Sequence, residues 1–294
     1  MAVSGAVVAR IARFSLTTAD AHGLAFFYER AFGCRTIAIE TWGGSDFERL
    51  PEMQGVALKI TLGLGDEIIE LLQFDLPGRP YPAGTSASDL VFQHFAIVVR
   101  DMAEAIQRLS GVGGWAAITK EGPQLLPVSS GGVTAFKFRD PDGHPLEFLA
   151  FPEGGAPGWQ SRTTNDICLG IDHSAVSVSA SAPSIAFYAQ LGFRVSARSV
   201  NRGQQQDKLD DVRDTHVEVT ALVPRQTAPH LELLCYRSVA HSGLNDRSNN
   251  DVAATRLVLE CRAASGSDDG SIIQRCIRDP DGHLLMIVPR RWET

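Results

Sequence analysis

The chain has 294 residues, the length of two ordinary domains or one large one. Its 44% hydrophobic and 21% charged residues exclude a disordered chain, a collagen-like fibre and a small disulfide scaffold. The net charge of −7 argues against nonspecific nucleic-acid binding, which needs a basic footprint. The N-terminal MAVSGAVVARIARF carries Arg10 and Arg13 where a secretion signal needs an apolar core, so no signal is expected. No run approaches the roughly 20 apolar residues of a membrane span. The cysteines (Cys34, Cys168, Cys235, Cys261 and Cys276) are odd in number and scattered, with no CxxC. A reduced, cytoplasmic protein without structural zinc is therefore expected.

In chain order, RFSLTT (13–18) reads as a β-branched strand, followed by an amphipathic helix over 19–33 with Gly33 at its C-cap. Three strand-like stretches follow: CRTIAIE, GVALKITLG and DEIIELLQF. GRPYP (78–82) is a loop; Arg79 and Tyr81 there either close over a ligand or belong to a plain surface turn. The pattern restarts at HFAIVV (94–99) with a helix over 101–111, and again at HSAVSV (173–178) with a helix over 181–193. Gly111 and Gly192 stand at the expected C-caps. TRLVLE (255–260) opens a fourth unit. ASGSDDG (264–270) is no helix, so this unit is truncated. Cys235 is expected to be a small buried residue.

The units are repeats. FRDPDGHPLEFL (138–149) matches IRDPDGHLLMIV (277–288), and AFFYERAFGCR (25–35) matches IAFYAQLGFRV (185–195). The DPDGH segments read as hairpin turns in which Gly supplies positive φ, and His144 and His283 are expected to serve those turns. The repeats divide the chain into halves of 1–152 and 167–294, joined by a Gly/Pro/Ser/Thr-rich linker. The fold class is α+β: four βαβββ modules forming two paired half-barrel domains, units one and two in one domain and three and four in the other.

Strand alternation places His94, Ala96 and Val98 on one face, with Phe95, Ile97 and Val99 on the other. By the same rule Arg13 and His173 share the cavity face of their units. Each last strand carries a lone acid in an apolar run: Glu70, Glu147 and Glu232, with Met286 in the fourth unit. Such an acid is costly unless it is paired, hydrogen-bonded or bound to metal.

These residues carry a resemblance. HFAIVVRDMAEAI, the FYxxxxG-like helix ends and the two DPDGH turns are similar to the vicinal oxygen chelate superfamily. That superfamily includes glyoxalase I, methylmalonyl-CoA epimerase, fosfomycin and bleomycin resistance proteins, and extradiol dioxygenases. The resemblance covers nearly the whole chain and is specific for fold, since this frame supports many chemistries. It implies metal ligands at the cavity position of each first strand and the acidic position of each last strand. In the first half these are His94, Glu70 and Glu147, with Arg13 in place of a fourth ligand; a guanidinium cannot ligate. In the second half they are His173 and Glu232, with Thr255 or Ala254 and Met286 completing the set. The expected site is thus in 1–152, with 167–294 degenerate and His173–Glu232 a structural hydrogen-bonded pair. The competing reading is a metal-free ion cluster of Arg13 with Glu70 and Glu147.

The resemblance implies a metal-dependent lyase or isomerase acting on a small molecule with vicinal oxygens through an enediolate. Glu147 or Glu70 would move the proton, and Arg13 would hold a carboxylate or oxyanion. Mn, Co, Ni, Zn or Fe(II) suits such ligands. An extradiol-type dioxygenase is the first alternative, although neither half alone offers two histidines at ligand positions. A metal-free binding or resistance protein is the second. A homodimer is compatible with the family, whose barrels are sometimes built across chains.

Overall fold

The computed structural model describes residues 6–43, 55–153, 157–160, 166–237, 247–263 and 274–289. Unit one comprises β1 (Ala6–Thr17), α1 (Ala21–Phe32), β2 (Arg35–Gly43), β3 (Val56–Leu64) and β4 (Glu67–Phe74). Unit two comprises β5 (Gln93–Val99), α2 (Met102–Ser110), the short β6 (Ala116–Ala117) and β7 (Gln124–Leu125), then β8 (Thr134–Arg139) and β9 (Pro145–Ala150). A single turn, α3 (Pro157–Gln160), lies in the linker. Unit three comprises β10 (Cys168–Ser177), α4 (Ser181–Gln190), β11 (Arg194–Arg202), α5 (Gln204–Asp210), β12 (His216–Val223) and β13 (His230–Tyr236). Unit four comprises β14 (Arg256–Ala263), β15 (Arg275–Arg278) and β16 (Leu284–Pro289), with no helix among its described residues. The stretch 264–270, expected to be non-helical, lies outside the described residues.

The helices start and stop where local chemistry dictates. Asp20 and Asp101 cap α1 and α2, their carboxylates accepting from the amides of Gly23 and Glu104. Gly33 ends α1 in the left-handed conformation expected of it, at φ 77°. Gly111 does not: it stays right-handed at φ −73°. Gly192 is left-handed, one residue beyond the α4 cap Leu191.

The modules are those expected, but their pairing is not. One sheet runs β15-β16-β14-β1-β4-β3-β2 and joins unit one to unit four. The other runs β11-β12-β13-β10-β5-β9-β8-β6 and joins unit two to unit three. The halves 1–152 and 167–294 therefore do not each form a domain with its own sheet. Each first strand pairs in parallel with its own unit's last strand, as β5 does with β9, which leaves one edge open. That edge is closed antiparallel by the first strand of another unit: β14 on β1, β10 on β5.

The halves are instead tied through helices and turns. Between the sheets lies a continuous core containing Phe14, Phe27, Phe32, Phe95, Phe138 and Phe148. Here Tyr28 of α1 donates to Asp140 of the unit-two turn at 3.0 Å, and Tyr188 of α4 donates to Asp279 of the unit-four turn at 3.1 Å. Gly143 and Gly282 close these turns at φ 95° and 89°, a region that Cβ-bearing residues rarely adopt. His144 bridges Asp140 at 2.9 Å and the Thr17 carbonyl at 2.9 Å, and His283 reaches the Ser177 carbonyl at 2.8 Å. The GRPYP loop is structural as well. Arg79 forks onto Asp251, and Tyr81 stands edge-on to His144 and donates to the Val91 carbonyl. All five cysteines are free, and Cys235 is buried. No helix among the described residues is long and apolar enough to cross a membrane.

Both ring nitrogens of His144 face acceptors, an arrangement only the imidazolium fully satisfies. Burial opposes that charge, but the Asp140 carboxylate outweighs burial and raises the His144 pKa. A pKa raised on folding contributes stability in full below the ordinary histidine range, and the contribution is lost as pH rises through the folded value. Denaturant midpoints taken from about pH 6 to about pH 9 should therefore fall more steeply for the wild type than for His144→Gln. Parallel slopes would contradict the assignment.

Candidate metal centre

Alternation along the central strands of the nine-stranded sheet separates core from cavity. Phe95, Ile97 and Val99 of β5, Leu146 and Phe148 of β9, and Leu231, Leu233 and Cys235 of β13 enter the inter-sheet core. The opposite face carries His94, Glu147, His173 and Glu232. The antiparallel register sets Ala175 opposite His94 and His173 opposite Ala96, so the two imidazoles flank the seam between units two and three. Parallel registers set Glu147 beside Ala96 and Glu232 beside Ala175. Strands from both units curl around a cavity of about 270 Å³ lined by all four side chains.

The four converge. His94 Nε2 lies 3.0 Å from Glu147 Oε2, His173 Nε2 lies 3.7 Å from the same oxygen, and Glu232 Oε2 lies 3.6 Å from His173 Nε2. The ligand atoms of His94, Glu147 and His173 lie within 4.8 Å of one another. His94 Nδ1 is buried without a partner. Burial lowers the His94 pKa and keeps its ring neutral, the form that offers a lone pair. Burial alone would raise Glu147 and Glu232. The Lys137 ammonium and the bonds from His173 and His94 hold Glu147 well below the usual carboxylate range, and His173 and His230 lower Glu232. Burial would also lower His173, but Glu232, Asp172 and Glu147 together raise it well above its ordinary value. A proton thus settles among acids that lack a stronger cation. Two imidazoles and two carboxylates on one cavity wall are a donor set suited to a divalent transition metal.

A β-bulge adds a further group. Between Ile171 and His173 the register with β5 slips by one residue, which re-aims Asp172. Asp172 accepts from His173 Nδ1 at 2.9 Å and from Trp159 Nε1 of α3 at 3.1 Å. With a cation replacing the second ring proton, that bond would fix the tautomer that turns the His173 Nε2 lone pair toward the cavity. His230, two residues before Glu232 on the same strand face, lies 3.5 Å from Glu232 and 3.7 Å from Asp172.

The other sheet repeats the frame with different chemistry. Arg13 and Glu70 occupy the positions of His173 and Glu232, and Met286 that of Glu147. Ser15 lies opposite Arg256, as Ala175 lies opposite His94. The fourth position is therefore Arg256, not Thr255 or Ala254. Arg13 Nε sits 2.9 Å from Glu70 Oε1. Fully buried Arg256 donates to Thr17 Oγ1 and to the Asn249 carbonyl. Around them pack Phe74, Leu72, Val258 and Met286.

The expected triad is thereby corrected. His94 and Glu147 meet, but Glu70 belongs to the other sheet and cannot join them. Arg13 pairs with Glu70 as the ion-cluster reading anticipates, yet stands apart from Glu147. His173 and Glu232 complete the centre rather than forming a separate pair. Lys137, Asp172 and His230 were not singled out from the sequence. His230 is legible in HLELLCY as a second polar residue on the face of Glu232, and Lys137 as the one charge inside TAFKF. The bulge that brings in Asp172 has no local signal.

Three units built on the βαβββ plan and a fourth described by three strands share two curled sheets, one of which carries a His/Glu cluster, and together they define an α+β protein with a candidate chelating centre. Residues 10–148 match the family model of the Glyoxalase/Bleomycin resistance protein/Dioxygenase superfamily, so this stretch is similar to that superfamily. No curated protein matches by sequence. Among solved structures the chain is similar to glyoxalase I from Zea mays, with 16% identity, TM-score 0.58, and 97% of this chain and 92% of that chain covered. It is also similar to a candidate dioxygenase from Bacillus subtilis, with 12% identity, TM-score 0.50, and 96% and 86% covered. Identities this low speak for the fold alone.

The Arg13–Glu70 pair gives a test of the second sheet. Arg13→Met leaves Glu70, whose side chain is 6% exposed, without its cation and should cost about 2 kcal/mol in urea unfolding. Arg13→Met/Glu70→Met should recover most of that loss. A double variant no more stable than the single one would show that the pair is not self-contained.

Proposed function

We propose that the protein is a metal-dependent lyase or isomerase of the glyoxalase type, acting on a small molecule with adjacent oxygens at the seam between units two and three. The supporting observation is the convergence of His94, Glu147 and His173, drawn from both halves of the chain, with Glu232 3.6 Å from His173 on the wall of the same cavity. His94, Glu147, His173 and Glu232 would hold a divalent cation at the wall of the cavity. A cation held there supplies Lewis acidity toward the adjacent oxygens of the substrate.

The chain's own groups divide the remaining work. Asp172 and Trp159 hold the His173 ring in its ligating orientation. Glu147 is held by His94 at 3.0 Å. Glu232 has longer contacts, 3.5 and 3.6 Å, and its side chain is 23% exposed, which suits it better to carry a proton beside the substrate carbonyl. His230 Nε2 lies 3.5 Å from Glu232 Oε1, close enough to exchange that proton. Apolar walls from Leu126, Leu149, Leu209 and Leu234 exclude water from the reacting face. Arg13 and Glu70 have no part in this reading.

A second reading rests on one observation. His94, His173 and Glu147 alone form the two-histidine, one-carboxylate set used by Fe(II) oxygenases, so the objection from ligand count does not hold across units two and three. A ring-cleaving dioxygenase is therefore the alternative. The fourth ligand, Glu232, favours the isomerase.

Metal analysis of protein purified without chelator tests both. One divalent ion per chain is expected, with affinity down by about tenfold or more in His94→Ala, Glu147→Ala, His173→Ala and Glu232→Ala and unchanged in Glu70→Ala. Solvent deuterium exchange next to the carbonyl of a 2-hydroxy ketone, lost in Glu232→Gln with metal retained, supports the isomerase. Oxygen uptake on catechols supports the dioxygenase. Metal-free protein from every preparation would contradict both.

A further inference from the structure

The cavity also holds a cation that the proposed ligand set does not use. Lys137 interrupts the apolar strand TAFKFR of β8. It lies directly opposite Glu147 on β9, its side chain 5% exposed and lining the cavity. A buried lysine next to a chelating centre requires explanation, because burial disfavours its charge. Its Nζ lies 2.6 Å from Asp210 Oδ1. Glu147 faces it across the ladder, so two carboxylates flank the ammonium.

Asp210 is itself fixed. It ends the two-turn helix α5, which the chain inserts between β11 and β12. Its second oxygen accepts from Gln206 Nε2 at 2.7 Å and from Tyr236 OH at 2.9 Å. Helix α5 is anchored in turn by the Thr215 amide on Asp207 and by the Lys120 amide on the Lys208 carbonyl. An ammonium has three donors. Among the described residues only Asp210 accepts from Lys137, so two donors remain beside the cavity. A structural ion pair alone needs neither those spare donors nor a place on the cavity wall.

We infer that Lys137 is a specificity-determining residue that receives the carboxylate of the ligand, so that the site selects small 2-hydroxy or 2-oxo acids with an apolar body. The inference rests on the proposed chelating centre. One carboxylate oxygen and its neighbouring hydroxyl or carbonyl oxygen address the His/Glu quartet, and the second carboxylate oxygen meets the Lys137 ammonium. The rest of the organic body lies against Leu126, Val133, Leu209 and Val219. A neutral diol of the same shape leaves the ammonium unanswered. The three acids that line the cavity (Glu147, Asp172 and Glu232) would otherwise repel an anion, so Lys137 and the bound metal together set the sign of the ligand.

The test compares mandelate with 1-phenylethane-1,2-diol, which share an apolar ring and adjacent oxygens but differ in charge. Both are titrated calorimetrically into the zinc-loaded full-length chain. Lys137→Met/Asp210→Asn removes both charges together and leaves no uncompensated buried acid; Lys137→Arg keeps the cation. Wild type should prefer mandelate by roughly tenfold or more. The double variant should lose that preference while retaining zinc and binding the diol within about twofold of wild type. Lys137→Arg should keep part of the preference, and it stands in if the double variant fails to fold, since shifting the guanidinium must then change mandelate affinity and not diol affinity. Equal affinities in wild type, or an undiminished mandelate preference in the double variant, overturns the inference. If wild type binds no zinc, the chelating centre fails, and benzoate titrated into the metal-free chain decides Lys137 separately. Loss of benzoate binding in the double variant sustains the carboxylate assignment, and unchanged or absent binding overturns it.

Discussion

The antiparallel ladder between β5 and β10 is the contact on which the candidate centre depends. It sets Ala175 opposite His94 and His173 opposite Ala96, and so brings two imidazoles from different halves of the chain to one seam. The side-chain period of a strand is two, so a slip of one residue would turn every cavity group into the core and every core group into the cavity. Phe95, Ile97, Val176 and Val178 guard against that slip, since each would lose its burial. The same hydrophobic pattern that holds the two sheets together thereby holds the metal ligands in register.

The two sheets show what one frame can do with different side chains. At corresponding positions one carries His94, Glu147, His173 and Glu232, and the other carries Arg256, Met286, Arg13 and Glu70. Imidazoles offer lone pairs and can share a cation, whereas guanidinium groups bring the cation with them. The Arg13–Glu70 sheet therefore neutralises itself and fills its concave face with Phe74, Leu72 and Met286. The His/Glu sheet keeps an open cavity and an excess of acid over base, the condition under which an added cation or a held proton stabilises the fold. Asp172 marks the divergence: the residue at its place in β1 is Ala12, within a corresponding slip of register, and offers no carboxylate.

Much of this was legible in the chain. Strand alternation, DPDGH turns and helix caps are local signals that mark the units, the cavity faces and the polar residues on them; that these are ligand positions is what the family resemblance implies. His94, Glu147, His173 and Glu232 were all identified on that basis. What was not legible is which units share a sheet. Pairing one with two or one with four closes the same open edge and buries the same apolar faces, so no local pattern distinguishes them. Glu70 was placed beside His94 for that reason. Arg256 was missed because the fourth unit is shortened and its alignment shifts by one or two residues. Asp172 was missed because its role comes from a bulge, which is a property of two strands and not of one. Lys137 carries the same signal as the strand acids, a charge inside an apolar run.

Anomalous diffraction at the absorption edge of the bound metal, on crystals of protein purified without chelator, tests the central claim most directly. The account predicts a single peak at the β5–β10 seam, within about 2.0 to 2.3 Å of His94 Nε2, His173 Nε2 and oxygens of Glu147 and Glu232. A peak beside Glu70, or no peak at the seam in metal-replete crystals, would contradict it.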